Sequence, residues 1–445
     1  MTRRTFLATT AAVALAQADP QSEKAAILAR IKAPEFPKRD FDVTKYGAVA
    51  DGQKDCTDSL RKAIAACSTA GGGTVVVPKG DFFTGAIHLE SNVNLHVSEG
   101  ATLRFSRDPR HYMPVVYTRW EGTECMSFSP FIYAFEKSNI AVTGTGTLDG
   151  QADNEHWWPW KKGPAGQDAD RKALMAAGDN NVPVKDRVFG EGHYLRPYFL
   201  QPYRCTNVLI DGVQIVNSPM WEINPVLCKN VTVRNVRIDS HGPNNDGVDP
   251  ECCTDMLVEN CTFSTGDDCM AIKSGRNVDG RRVNVPTANL IIRNCNMKDG
   301  HGGVSIGSEA SGGVRNVFVE NCQMSSPNLE RALRIKTNSY RGGAIENIYF
   351  QDVTVGQVKE AVIEIDFYYE EGEGGPFKPI VSNVVVSNVT CQKSKYGIYL
   401  RGYKNAPIRG LTMTDCAFNN AAKENFLENV ESVTMTRVTV NGKSV

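Results

Sequence analysis

Residues 289–297, NLIIRNCNM, and residues 316–324, NVFVENCQM, are two copies of one template: asparagine, three apolar residues, a charged residue, a second asparagine, then Cys, a polar residue and Met. The template recurs on both sides of this pair. GGTVVVP at 72, NVNLHV at 92, NIAVTGTGTL at 139, NVLIDGVQI at 207, NVTVRNVRI at 230 and MLVENCTF at 256 precede it. NIYFQDVTV at 347, NVVVSNVTC at 383, GLTMTDCAF at 410 and SVTMTRVTV at 432 follow it, and the commonest interval is 22 to 36 residues. Short β-branched runs with period-two alternation are strands, and their recurrence at such intervals is the mark of a solenoid, a propeller or an array. The punctuation is single Asn, Gly or Asp turn residues, where an antiparallel propeller blade would need hairpin dipeptides. The reading is therefore an all-β, right-handed parallel β-helix, with a propeller as runner-up.

Before the repeats, TDSLRKAIAACSTAGGG (57–73) has a polar opening, apolar residues at Leu60, Ile64 and Cys67, and a glycine stop. It is expected to form an N-terminal helix capping the first coil, because a solenoid end exposes core and unpaired strand edges. Two interruptions, at about 150–196 and 366–380, are expected to form loops on one side of the solenoid.

The first eighteen residues, MTRRTFLATTAAVALAQA, read as an export signal of the twin-arginine type, with Arg3 and Arg4 ahead of an apolar run and Ala16-Gln17-Ala18 as cleavage site. The expected organisation is export signal 1–18, N-terminal segment 19–40 and β-helix catalytic domain 41–445, in a periplasmic or secreted protein. A net charge of −1 over 445 residues gives no global attraction to nucleic acid or anionic membrane, so any charged substrate must be recognised locally. Among the thirteen cysteines, Cys261, Cys295, Cys322 and Cys416 occupy equivalent template positions and are expected to form a buried ladder. Adjacent Cys252 and Cys253 are poorly placed to bridge each other, one or two disulfides elsewhere stay open, and no zinc-type spacing occurs.

Four polar motifs interrupt the strand pattern: NNDGVDP at 244, GDDC at 266, GHGG at 300 and RIK at 334. Stacked coils lie about 4.8 Å apart. Asp246 and Asp268, 22 residues apart, should be neighbours, with His301 and Arg334 following at two intervals of 33. Carboxylates held so close repel, which keeps one protonated while another stays ionised, and that is the pairing that cleaves a glycosidic bond. Asp267 and Asp268 would point to opposite sides of a regular strand, so both reach a cleft only if Gly266 makes a bend. Calcium binding and a solvated turn are the plainer readings of clustered aspartates.

These four motifs carry a family resemblance. The chain resembles glycoside hydrolase family 28, the polygalacturonase-like pectin hydrolases, in its bacterial exo-polygalacturonase-like subgroup. The family pattern Asn-Thr-Asp, Gly-Asp-Asp, Gly-His-Gly and Arg-Ile-Lys is matched by 244–246, 266–268, 300–302 and 334–336, with Asn245 in place of threonine. The likeness extends from FDVTKYGAVADGQKD at 41 through GTLDGQ at 146 and NSPMWEI at 217 to the last repeats. It implies an inverting hydrolase of α-1,4-galacturonosidic bonds, without a cofactor or catalytic metal, acting as a monomer on pectic polysaccharide or oligogalacturonide. Asp267 is implied as general acid, Asp246 and Asp268 as the pair activating water, and His301 as the group holding the acid's protonation. Arg334 and Lys336 are implied to bind the substrate carboxylate, and the family's short carboxylate spacing is not a sign of retention.

Further substrate-binding candidates are Asn244, Lys273, Arg341, Tyr368 and Tyr369, with Arg276 and Arg401 as cations near the motifs or on later coils. Trp221 and Glu309 read as packing and loop-orienting residues. Exo action is favoured, because long insertions can close one end of the cleft. The rivals are a hydrolase of rhamnogalacturonan or another decorated pectin, a calcium-dependent lyase, and a non-catalytic carbohydrate-binding protein.

Overall fold

The computed structural model describes residues 19–162 and 166–445; the export-signal reading lies outside the described residues. The chain winds as a parallel β-helix. One column of in-register residues runs Val208, Val231, Met256, Leu290, Val317, Ile348, Val384, Leu411, Val433, each pairing in parallel with the next. Spacing along it runs from 22 residues, Leu411 to Val433, to 36, Ile348 to Val384, as the sequence recurrence predicts. Earlier coils are longer: Val93 pairs with Ile140 and Ile140 with Val208, because segments bulge out between them. Crossovers between parallel strands of one sheet take the right-handed sense.

Strands of 23 segments make the larger sheet. The sheet that matters for chemistry has six: Met270–Ile272, Val304–Gly307, Arg331–Lys336, Ala361–Asp366, Tyr396–Arg401 and Phe426–Glu428. Isolated bridges Leu200–Ile223, Ile223–Val248 and Val248–Met270 extend it toward the N-terminus.

The asparagine that opens each template has a structural reason. Asn92, Asn139, Asn207 and Asn230, then Asp255, Asn289, Asn316, Asn347 and Asn383, all adopt left-handed backbone with φ between 51° and 64°. Asparagine tolerates that region better than most side chains. Each stacked amide also donates to the side-chain oxygen one coil back, at 2.7–3.0 Å within each run.

All thirteen cysteines are buried and unpaired, so the disulfide option is not used among the described residues. Cys205, Cys228 and Cys253 form a second stacked run that the template alignment does not reveal, since each lies outside the repeated nine residues.

The capping helix spans Thr57–Thr69 and buries Leu60, Ala63, Ile64 and Cys67. A second helix, Pro20–Arg30, occupies what the sequence shows only as an N-terminal segment. It straps the outer sheet face, with Ile27 buried among Leu257, Ile291, Phe318 and Tyr349. Burying Ile27 stabilises by about 2 kcal/mol. The flanking pairs, Lys24–Glu320 at 2.5 Å and Arg30–Asp255 at 2.9 Å, add at most about 1 kcal/mol each. The apolar contact therefore contributes at least as much to the docking as the two pairs together.

Three excursions stand on the side of the six-stranded sheet. One is an antiparallel hairpin, Val116–Trp120 with Thr123–Ser127. The next is the 150–196 insertion, which carries the helix Gln167–Asp179. The last is the loop after Asp366. Buried ion pairs fix the hairpin: Arg119 with Glu251 at 3.3 Å, and the Glu124 N–H donating to Asp279, which also takes Arg187 at 2.8 Å.

Candidate active site

Gly266 makes the bend that the Asp267-Asp268 pair needs. A Cβ at Gly266 would sit 2.3 Å from the Gly242 carbonyl oxygen, so only glycine lets these coils approach. The strand breaks at 266–267, and carboxylate oxygens of Asp246, Asp267 and Asp268 come within 4.8 Å of one another. The neighbour expected for Asp246 is found, since Gly247 N–H donates to Asp268 O and Val248 bridges Met270.

The two further intervals of 33 do not hold. His301 stacks on Asp267, 34 residues back, and Arg334 pairs with Ser305, 29 residues back. The helix Asn277–Val283 lengthens the first coil and the next coil lacks it, so the cations land further along the strand than His301. Arg334 and Lys336 thus flank the aspartates instead of stacking on the histidine.

The three carboxylates have different environments. Asp268 is fully buried and accepts from Lys336 Nζ at 2.7 Å and Ser305 Oγ at 2.7 Å, with Arg334 at 3.8 Å. Burial alone would raise its pKa, yet Lys336 and Arg334 outweigh it and hold Asp268 well below the usual carboxylate range. Asp246 is 3 % exposed and its Oδ1 has no hydrogen-bond partner. Burial, then repulsion from Asp249 and Asp267, pushes it well above the usual range. Asp267 faces the cleft, with its Oδ1 2.9 Å from His301 Nδ1 and its Oδ2 accepting weakly from Asn244 at 3.5 Å. The bond to Asp267 raises the His301 pKa, favouring the imidazolium.

A cleft of about 430 Å3 opens over this group. Asp246, Asp267, His301, Asn244, Lys273, Arg334, Lys336 and Tyr369 line it; Asp268 lies one layer beneath. Tyr369 covers both cations, its ring centre 5.5 Å from Arg334 and 5.3 Å from Lys336. Lys273 sits 4.5 Å over Trp221 and 3.3 Å from Glu309, so both of those residues line the cleft as well as pack.

The structure does not bring Arg341 or Tyr368 into the cleft. Arg341 is fully buried and clamps Glu370 at 2.5 Å and Glu371 at 3.2 Å. Tyr368 packs edge-on against Tyr403 with Arg401 3.9 Å above its ring, which also occupies Arg401. Arg276 is likewise held in ion pairs with Glu309, Glu370 and Glu371. Asn245, the departure from the Asn-Thr-Asp pattern, braces the turn: it accepts from Gly242 N–H and Ser240 Oγ and donates to the carbonyls of Ser218 and Met220. Threonine has no amide to make all four bonds.

Glu121, Lys161, Arg171, Glu330, Arg331 and Glu370 also line the cleft. Of these, Lys161, Arg171 and Glu370 fall in the two interruptions visible in the sequence.

Four motifs meeting over one buried aspartate cluster is the arrangement the family pattern requires, and residues 189–437 match Glycosyl hydrolases family 28. The chain belongs to this family. Residues 41–100 match a second family, Rhamnogalacturonase A/epimerase, pectate lyase-like. The crystal structure of a hyperthermoactive exopolygalacturonase from Thermotoga maritima is 46 % identical, covers 94 % of this chain and 96 % of that one, and superposes with a TM-score of 0.90. Among curated relatives, the exo-poly-alpha-D-galacturonosidase of Dickeya chrysanthemi is 26 % identical over 91 % of this chain and 75 % of its own length. A probable polygalacturonase of Vitis vinifera is 27 % identical over 85 % of this chain and 74 % of its own. The protein is thus a family 28 glycoside hydrolase on a parallel β-helix.

Proposed function

We propose that this enzyme hydrolyses α-1,4-galacturonosidic bonds of polygalacturonan from the chain end, with inversion. The observation that carries the reading is the aspartate cluster with Arg334 and Lys336 beside it. Arg334 meets Glu364 at 3.4 Å and Asp268 at 3.8 Å, longer than direct hydrogen bonds, so its guanidinium keeps donors for a substrate carboxylate.

In this mechanism Asp267 protonates the leaving oxygen as the glycosidic bond breaks. Water bonds to the anomeric carbon and gives its proton to Asp246, whose Oδ1 has no hydrogen-bond partner and whose buried carboxylate is a stronger base than that of Asp268. Asp268, ionised beneath Lys336, orients that water. The His301 imidazolium holds Asp267 in place and supplies its next proton. A lyase would need a divalent cation among the aspartates; the Lys336 ammonium already occupies that side of Asp268.

Exo action follows from closure. Arg171, in the 150–196 insertion, binds Glu121 on the hairpin at 2.6 Å and Glu370 in the loop after Asp366 at 3.2 Å. This bridge ties the three excursions together at the cleft and, in this reading, bars a polymer from passing that end. The sequence of residues 1–18 supports export, which fits a polymeric substrate.

The test is product analysis on polygalacturonate by chromatography and ultraviolet absorbance, with and without chelator. Saturated monogalacturonate from the earliest times, unaffected by chelator, supports the reading. An unsaturated, chelator-sensitive product makes the enzyme a lyase. Activity on rhamnogalacturonan alone keeps the chemistry and changes the substrate.

A further inference from the structure

A hollow of about 550 Å3, larger than the catalytic cleft, shares no lining residue with it. One short helix, Pro159–Lys162, serves both: Lys161 lines the cleft and its neighbour Trp160 lines the hollow. Phe128, Tyr194 and Met113 complete the apolar part of the wall. We propose that this hollow is a second carbohydrate site, outside the cleft, that takes a neutral sugar residue of a decorated polysaccharide. The proposal concerns binding alone and holds whichever linkage the cleft cuts.

The rings are set before anything binds. Trp160 is half-buried, met edge-on by Trp157 at 4.9 Å and by Tyr194 at 5.4 Å, and tilted against Phe128 at 5.8 Å. Asp170 pins the Tyr194 side: it accepts from the Tyr194 N–H at 2.6 Å and lies 2.8 Å from His193 Nδ1. Aromatic walls held in this way meet the face of a sugar ring at little entropic cost. The lining also keeps polar groups in reserve. The Trp160 indole N–H, the Tyr194 hydroxyl and the exposed Glu191 carboxylate make no hydrogen bond or ion pair among the described residues, which leaves a donor, a donor-acceptor and an acceptor for sugar hydroxyls. Charge then selects the kind of sugar. Of the lining side chains, Asp108, Arg110 and Glu191 carry charge and His193 can. Arg110 is held by Asp108 at 2.5 Å and His193 by Asp170, so Glu191 has no cation to offset it. A uronate here would meet the Glu191 carboxylate, whereas in the cleft it meets Lys273, Arg334 and Lys336. The cleft therefore suits an acidic sugar and the hollow a neutral one.

The test is an NMR titration with galactobiose and arabinobiose as neutral probes and digalacturonate as competitor, in an Asp267→Asn background so that the competitor is not consumed. At least one neutral probe should bind, and excess digalacturonate should leave that binding intact. Adding Trp160→Ala should weaken it about tenfold. Glu191 is exposed, so Glu191→Ala reports even if Trp160→Ala folds poorly, and it should weaken binding about threefold. No binding of either neutral probe, binding unmoved by both variants, or displacement by digalacturonate overturns the site. A dimer in solution that either variant dissociates makes the hollow an interface between copies of the chain, and overturns it too.

Discussion

The same coils build two faces with opposite character. On the larger sheet, column positions repeat one residue type, as in Asn289, Asn316, Asn347 and Asn383, and each copy satisfies the next. On the six-stranded sheet the column Ser305, Arg334, Glu364, Tyr399 changes residue at every coil. Backbone spacing is alike on both. Identical stacking makes a neutral, self-satisfied ladder, whereas carboxylates stacked on carboxylates repel and shift one another's pKa. In a parallel β-helix, then, repetition marks support and its interruption marks chemistry.

The largest effect should come from the interrupted face. Asp267→Asn should lower kcat on polygalacturonate by at least about 1,000-fold with an unchanged melting temperature. If Asp267 is the acid, the loss should shrink on an aryl galacturonide with a good leaving group, which needs no protonation. If Asp246→Asn, and not Asp267→Asn, shows that rescue, the two roles are exchanged.

A smaller effect attaches to His301. Its raised pKa means the imidazolium persists above pH 6.5 and is lost as pH climbs past the raised value, so activity should fall on that alkaline limb. The acid limb should lie above the ordinary carboxylate range, because Asp246 must ionise to act as base and its pKa is raised. His301→Asn should lower kcat roughly 10- to 100-fold and remove the alkaline limb. A limb unchanged in that variant would assign it to another group.

The smallest effect on activity belongs to the repeated face. Asn316→Ala removes two amide contacts and leaves at φ 56° a residue that tolerates left-handed backbone less well than asparagine, costing about 2 kcal/mol of stability with kcat intact. Asn316→Gly keeps the backbone relaxed, so the gap between the two variants, read in denaturant melts, isolates the strain. A kcat loss in either variant would couple the two faces and blunt the contrast between them.

Much of this contrast was legible in the sequence because both of its terms are local. The template reports strands, the asparagines report the turns, and the four motifs report the aspartate cluster through stacking alone. What the sequence hid was long-range. Arg171 meets Glu370 across 199 residues, and no pattern within either insertion announces that bridge. Arg341 stands near a motif, but two loop glutamates claim it as a clamp. The helix Pro20–Arg30 escaped notice because one residue, Ile27, anchors it, too little periodicity to register. The uniform interval of 33 failed for a similar reason, since one short helix inside a coil shifts the register of everything after it.

Carboxylate oxygens within 4.8 Å of one another would, on distance alone, suit a retaining enzyme. The single-displacement account says otherwise, because Lys336 and Ser305 engage Asp268 and Asp246 is assigned to water as its base. Proton NMR of the first product released from an α-linked oligogalacturonide decides between them. β-Galacturonate appearing first, and only later mutarotating, is the predicted result; α-galacturonate first would contradict the mechanism proposed for this cluster.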